Sequence, residues 1–178
     1  QLLRAASELG LPVTFRAAGT SLSGQAVTDS VLVLVAGGWR AAKVLDGGER
    51  IRLEPGVIGS DANALLARYG RKIGPDPASL STCMIGGIAA NNSSGMCCGT
   101  AQNSNRTVDA MKLVLWDGTL LDTADPESRR QFHATHPEII KGLAAIRDEI
   151  AADSALRNRI AEKYRIKNTT GYSLNAFI

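Results

Sequence analysis

The chain has 178 residues, 44% of them hydrophobic, which suits one domain or two small lobes and excludes a disordered chain. Its 20 basic and 17 acidic residues leave a net charge of +3, and no basic run exceeds two residues, as at Arg129-Arg130, so no electrostatic footprint for nucleic acid is present. Three cysteines, two of them adjacent at Cys97-Cys98, make no disulfide framework and fit a reducing compartment, and the longest apolar run, Val31 to Ala36, is far short of the roughly 20 residues that a membrane helix needs.

In chain order, Leu2, Leu3, Ala6 and Leu9 recur at helical spacing, and Gly10 stops that first helix. Val13 to Arg16 reads as a strand. Val31 to Val35, β-branched without polar alternation, reads as a strand buried on both faces and parallel in type to the first. Lys43 to Leu45 and Ile51 to Leu53 flank "DGGE" as a hairpin in which Asp46 and Gly47 supply positive φ angles. Ser60 is expected to cap a helix running to Tyr69, with Gly70 ending it. Met111 to Trp116 and Thr119 to Thr123 flank "DG" as a two-residue hairpin; Ile139, Ile140, Leu143, Ile146 and Ile150 mark the apolar stripe of a helix from Pro137, and Ser154 is a candidate cap for another. Trp39 and Trp116 read as packing residues. The chain opens without Met and closes on an apolar "YSLNAFI", so a fragment is expected.

Two stretches carry the chemistry. "FRAAGTSLSGQ", Phe15 to Gln25, follows the first strand with small and hydroxyl-bearing residues, a composition that lets consecutive backbone N–H groups converge on a phosphate. It is neither a Walker A loop nor the dinucleotide fingerprint, because no Gly-Lys-Ser/Thr follows and the next element is a strand. "PDPASLSTCMIGGIAANNSSGMCCGT", Pro75 to Thr100, is too long for turn chemistry alone, and the two stretches together could clamp one extended cofactor. A self-satisfied structural loop is the alternative for each.

Arg16 to Gly24 resembles the R-G-G-G-T-S-x-x-G loop of the FAD-binding domain shared by the vanillyl-alcohol oxidase and para-cresol methylhydroxylase flavoproteins, and Pro75 to Gly95 resembles their P-x-D-P … I-G-G-x-x-A-x-N-x-x-G segment. "KNTTGYSLNAF", Lys167 to Phe177, resembles the K-(N/D)-x-x-G-Y-x-L stretch of the D-2-hydroxyacid dehydrogenase branch, most closely the long bacterial D-lactate dehydrogenases with a C-terminal iron-sulfur region. The resemblance implies an α+β fold of the PCMH type, two α+β subdomains with FAD between them, cut at both ends, with residues 1–56 in the first and 57–178 in the second; cap and iron-sulfur domains would lie outside this chain.

It also implies noncovalent FAD held by Arg16, Ala17, Ala18, Gly19, Thr20, Ser21, Leu22, Ser23 and Gly24 of the first loop. From the second stretch it implies Pro75, Asp76, Ser81, Thr82, Ile85, Gly86, Gly87, Ala90, Asn91, Asn92, Gly95 and Gly99, with Tyr172 on the substrate side. The implied reaction is oxidation of a D-2-hydroxy acid, D-lactate first and glycolate or D-2-hydroxyglutarate next, by hydride transfer to the flavin and onward electron transfer to a quinone, a cytochrome or iron-sulfur clusters. A non-catalytic flavin- or nucleotide-binding module is the rival.

Where the family has three glycines this chain has Ala17, Ala18 and Gly19, so negative φ is expected at both alanines. No catalytic residue is assigned, because the family's base and substrate clamp belong to the cap; the fragment alone is expected neither to oxidise D-lactate nor to retain stoichiometric FAD. His133 and His136 read as a surface pair and the cysteines as buried or neutral thiols, so no metal site is expected. The compartment expected is the cytoplasm, with peripheral association at the inner membrane as an extension of it.

Overall fold

The computed structural model describes residues 1–95, 99–167 and 173–178. The chain divides into two compact units, one built from Leu11–Thr107 with Lys167, the other from Gln1–Gly10, Val108–Ile166 and the residues from Ser173 onward. The 56/57 boundary implied by the resemblance falls inside the first of these.

The Leu11–Thr107 unit starts with β1 (Val13–Arg16) paired in parallel with β2 (Val31–Leu34), Val13 opposite Val31 and Arg16 opposite Leu34. The expectation that the second strand is buried on both faces is corrected: Leu32 and Leu34 are exposed and Val31 and Val33 only half-buried, because among the described residues this sheet has two strands, too few to be sandwiched. Val35, just past β2, is buried and donates to Arg16 O at 2.9 Å.

β3 (Ala42–Leu45) and β4 (Arg50–Leu53) form the expected antiparallel hairpin around a 3-10 turn, Asp46–Gly48, with φ of 48°, 63° and 95° along it. Helix α2 (Gly59–Ala67) packs on β3, and Ala62 and Leu66 are its buried residues beside Gly59. Ser60 is not its cap and Tyr69 is not its end. Ile58 holds the N-cap position, and the N–H groups of Gly59 and Ser60 are satisfied from outside by Cys83 O and Leu80 O at 3.0 Å each, so no hydroxyl cap is needed. Cys83, Met84, Val57 and Ile88 complete this unit's core, each such side chain contributing about 1.5–3 kcal/mol on full burial.

Within the Gly-rich second stretch lies a helix that the composition did not suggest, α3 (Ile85–Ala90). Its end is a Schellman motif with Asn in place of the usual Gly: Asn92, at φ 45°, donates to Ala89 O at 3.1 Å, and Ser93 donates to Ile88 O at 2.9 Å. A short helix, α4 (Ser104–Thr107), is tied to it by the Ser104 hydroxyl, which donates to Ile88 O at 2.9 Å.

The other unit combines α1 (Leu2–Glu8), the hairpin β5 (Lys112–Val114) and β6 (Leu120–Asp122), and helices α5 (Pro126–Thr135), α6 (Pro137–Ala152) and α7 (Ser154–Lys163). α1 stops as expected, with Gly10 at φ 63°. The hairpin's loop holds three residues, Trp116-Asp117-Gly118, instead of the two expected: Leu115 and Thr119 still pair, Gly118 N–H donates to Leu115 O at 3.0 Å, and Gly118 takes φ 85°.

α5 starts at Asp125, whose side chain accepts from Glu127 N, with Pro126 in the first turn. α7 is capped by Asp153, which accepts from Leu156 N at 2.9 Å, and not by Ser154, because the carboxylate one residue earlier reaches that donor. Ala6, Phe132, Ile150 and Ile160 form the buried apolar set.

His133 is exposed but His136 is not the surface residue expected. It is 6% exposed at the α5–α6 junction, stacked on Phe132 with ring centroids 4.8 Å apart. Trp39 and Trp116, read as packing residues, are instead about half exposed, Trp116 lending only an edge to His136. Among the described residues no helix is long and apolar enough to cross a membrane.

Candidate functional site

The first loop leaves β1 at Arg16 and returns to β2 at Val31, so a parallel pair of strands fixes both of its ends. Ala17 and Ala18 avoid positive φ, as expected, and Gly19 supplies the single left-handed turn at φ 68°. A Cβ on Gly19 would lie 2.5 Å from Arg16 Nε, so the guanidinium folds over the turn it precedes. Among the described residues no acceptor is paired with the main-chain N–H groups of Ala17, Ala18, Gly19 or Thr20, although the first three of these residues are half-buried. Unpaired, partly buried backbone donors are uncommon and costly. Further along, Ser23 N–H reaches the Ser21 hydroxyl at 3.4 Å, the Ser21 hydroxyl is bonded to the Gln25 side chain, and Thr20 to Gly24 are exposed, Leu22 completely.

The second stretch is organised differently. Ile85 and Gly86 donate to Val57 O and Pro55 O, at 2.9 Å each. Gly86 lies so close to Pro55 that an added Cβ would be 2.8 Å from the proline Cβ. Its lack of a side chain therefore serves packing, and Pro55 and Val57 are positioning residues that the sequence reading missed; no signal at 55–57 advertised them.

Gly87 is the opposite case. Its N–H has no acceptor among the described residues, it is exposed, and a Cβ there would meet, outside its own helix and among the described residues, just Ala17 Cβ at 3.9 Å. The two stretches thus come together at Ala17 and Gly87, inside one compact unit, with five unpaired N–H groups among the residues around that junction.

Beyond α3 the chain is again consumed by itself. Asn92 is buried and its Oδ1 accepts from Asn105 N at 2.9 Å; Asp76 N–H donates to Ser94 O at 2.8 Å, and a Cβ on Gly95 would fall 1.8 Å from Asp76 Oδ1. Ser94 Oγ is buried without a hydrogen-bond partner. Pro75 is buried, Ile85 and Asn91 are half-buried, and Ser81, Thr82, Ala90 and Gly99 are exposed. Cys83 is a buried free thiol, as expected. Tyr172, Cys97 and Cys98 lie outside the described residues, and no group of three or more metal-ligating side chains occurs among those described.

The other unit holds one further polar cluster. The Asp117 carboxylate accepts from Thr119 N at 2.9 Å and from the Thr119 hydroxyl at 2.8 Å, and its Oδ2 lies 3.0 Å from His136 Nε2. The bonds from Thr119, then the His136 contact, hold the Asp117 pKa down at about 2, so Nε2 is the nitrogen that donates. His136 Nδ1 is 2.8 Å from Thr135 Oγ1. Every polar atom of the ring is satisfied inside the protein, which marks a structural tie between hairpin and helices.

Unpaired main-chain N–H groups on successive residues beside an arginine suit the oxygens of a diphosphate and require no lysine. FAD carries such a group, and the donor set fits it. A family model for the FAD binding domain matches residues 1–124. The chain is 36% identical over 102 residues to a glycolate oxidase subunit of Escherichia coli (strain K12), covering 54% of this chain and 20% of that protein. It is 26% identical over 173 residues to D-2-hydroxyglutarate dehydrogenase of Haemophilus influenzae, covering 87% of this chain and 16% of that protein. The crystal structure of 6-hydroxy-D-nicotine oxidase from Arthrobacter nicotinovorans superposes with a TM-score of 0.58 at 22% identity, over 67% of this chain and 26% of that one, a likeness of fold. This chain spans a fifth or less of the two curated relatives, and with its α+β architecture and two meeting glycine-rich loops it belongs to the FAD binding domain family.

Proposed function

We propose that the chain is the FAD-holding part of a flavin-dependent dehydrogenase that oxidises a D-2-hydroxy acid to the 2-oxo acid, with D-lactate as substrate and an iron-sulfur region elsewhere in the protein. The observation that carries the reading is the meeting of Ala17 and Gly87 among unpaired N–H groups. In this reading Ala17, Ala18, Gly19 and Thr20 bind the diphosphate through the main chain, Arg16 adds positive charge over the turn, and Gly87 keeps the approach open. Pro55 and Val57 hold α3, and with it Gly87, in place. Bound FAD would supply the two-electron chemistry, while orientation is what the loops contribute. At the loop junction Arg16 stays protonated and cannot act as a base, so in this reading the proton of the substrate hydroxyl is taken by a group beyond the described residues.

Glycolate and D-2-hydroxyglutarate are the competing substrates, favoured by the names of the two relatives, and a cytoplasmic enzyme passing electrons to a quinone, a cytochrome or iron-sulfur clusters is the setting proposed. Purifying the whole protein, recording its flavin absorbance and following the bleaching of that band with each acid in turn tests the reading. D-lactate should bleach it fastest. A flavin band that none of the three acids bleaches would leave a non-catalytic module, and a colourless protein that FAD does not reconstitute would remove the cofactor assignment.

A further inference from the structure

Asp-Gly pairs occur in both hairpin turns, Asp46-Gly47 and Asp117-Gly118. With no side chain on the following residue, the peptide nitrogen of such a pair can approach the aspartate side-chain carbon. At the second pair both reacting groups are engaged. Gly118 N–H donates to Leu115 O at 3.0 Å, and the Asp117 carboxylate is gripped by Thr119 N, the Thr119 hydroxyl and His136. At the first pair they are not. Gly47 N–H meets no acceptor among the described residues, and the Asp46 contact is an exposed ion pair from Arg50 Nε at 2.6 Å, with the two side chains 59% and 49% exposed. An exposed pair of this kind restrains its carboxylate little. Asp46 also sits in the left-handed region at φ 48°.

We propose that Asp46 is a site of spontaneous covalent modification, cyclising with Gly47 to a succinimide that reopens to isoaspartate. The Gly47 nitrogen forms a bond to Asp46 Cγ while a carboxyl C–O bond breaks, and the hydroxyl leaves with the amide proton as water. Water then adds to the ring at the former main-chain carbonyl, breaking its bond to nitrogen, so the chain continues through the side-chain carbon and a main-chain carboxylate is freed. Mass is unchanged and no oxidant is consumed. The product lengthens by one carbon a turn that has no slack, because Gly48 already packs where a Cβ would lie 2.6 Å from Tyr69 Cβ. The β3–β4 hairpin would loosen at its tip.

The test is to age the folded chain at neutral pH and distinguish aspartate from isoaspartate by peptide fragmentation at both pairs. Isoaspartate should build up about tenfold faster at 46 than at 117, the protection that the engaged groups of Asp117 provide. In denaturant the two rates should converge, Thr119→Val should raise the signal at 117 and leave that at 46 unchanged, and Asp46→Glu should abolish the first site. Equal rates in the folded chain, a faster rate at 117, or a difference that persists in denaturant would overturn the proposal.

Discussion

The two glycine-rich stretches have nearly the same composition and opposite states. From Pro75 to Gly95 most groups are used internally: Gly86 is glycine because of Pro55, Gly95 because of Asp76, and Asn92 closes a helix. From Ala17 to Thr20 the main chain donates to nothing in the described protein. The difference teaches that glycine and hydroxyl content marks a place where backbone approaches something closely, while hydrogen-bond accounting says whether that something is the protein or a ligand. Gly87 is where the internally used stretch turns outward and joins the other.

Breaking the comparison at its most rigid point should have the largest effect. Gly95→Ala places a methyl within 1.8 Å of Asp76 Oδ1 and 2.2 Å of Asp76 O, at φ 149°. A loss of about 3 kcal/mol or more is expected, read as a drop in the urea midpoint. Next is Gly86→Ala, where the collision is 2.8 Å from Pro55 Cβ; repacking there should cost about 1–3 kcal/mol, and FAD affinity should fall only as far as folding does.

Gly87→Leu sharpens the contrast by separating the two quantities. The site has room for a Cβ, and replacing a helical glycine gains about 0.5–1 kcal/mol of propensity, so stability should hold or rise. FAD affinity of the whole protein should nevertheless fall about tenfold or more, since the side chain enters the junction. Arg129→Ala, an exposed change in the other unit, is the control that should leave flavin content unaltered.

The smallest effect expected concerns the unit that lacks both stretches. Because Thr119 and His136 lower the Asp117 pKa from 3.8 to about 2, this carboxylate adds stability that is complete above its unfolded value of 3.8 and is lost as pH falls through about 2. Denaturation midpoints of the wild type and Asp117→Asn should therefore differ most at neutral pH and converge in acid. A gap that widens on acidification would have the wrong sign.

Much of this was legible from residues. β-Branched runs located β1 and β2, turn residues located both hairpins, and the apolar stripe of Ile139, Ile140, Leu143, Ile146 and Ile150 located α6. What was not legible depended on distant partners. The run Ile85–Ala90 contains two glycines and reads as loop; it becomes a helix because Pro55 and Val57 take its first N–H groups and Asn92 and Ser93 close its end. His136 reads as one of a surface pair until Asp117, 19 residues earlier, folds against it. The α5 start is legible in "DPE", where Asp125 caps the helix and Pro126 opens its first turn. For the site, the motif positions of both stretches could be found in the sequence, whereas the split between Gly86 and Gly87 could not, since it turns on which neighbour each faces.

Amide NMR of the 15N-labelled chain, titrated with excess FAD, tests the central claim most directly. The account predicts that the amide signals of Ala17, Ala18, Gly19, Thr20 and Gly87 move furthest and saturate together, while those of Gly86, Asn92 and Asp76, already engaged by the protein, move little. Saturating shifts confined to 75–95, or signals from 17–20 that stay in place at every FAD concentration, would contradict it.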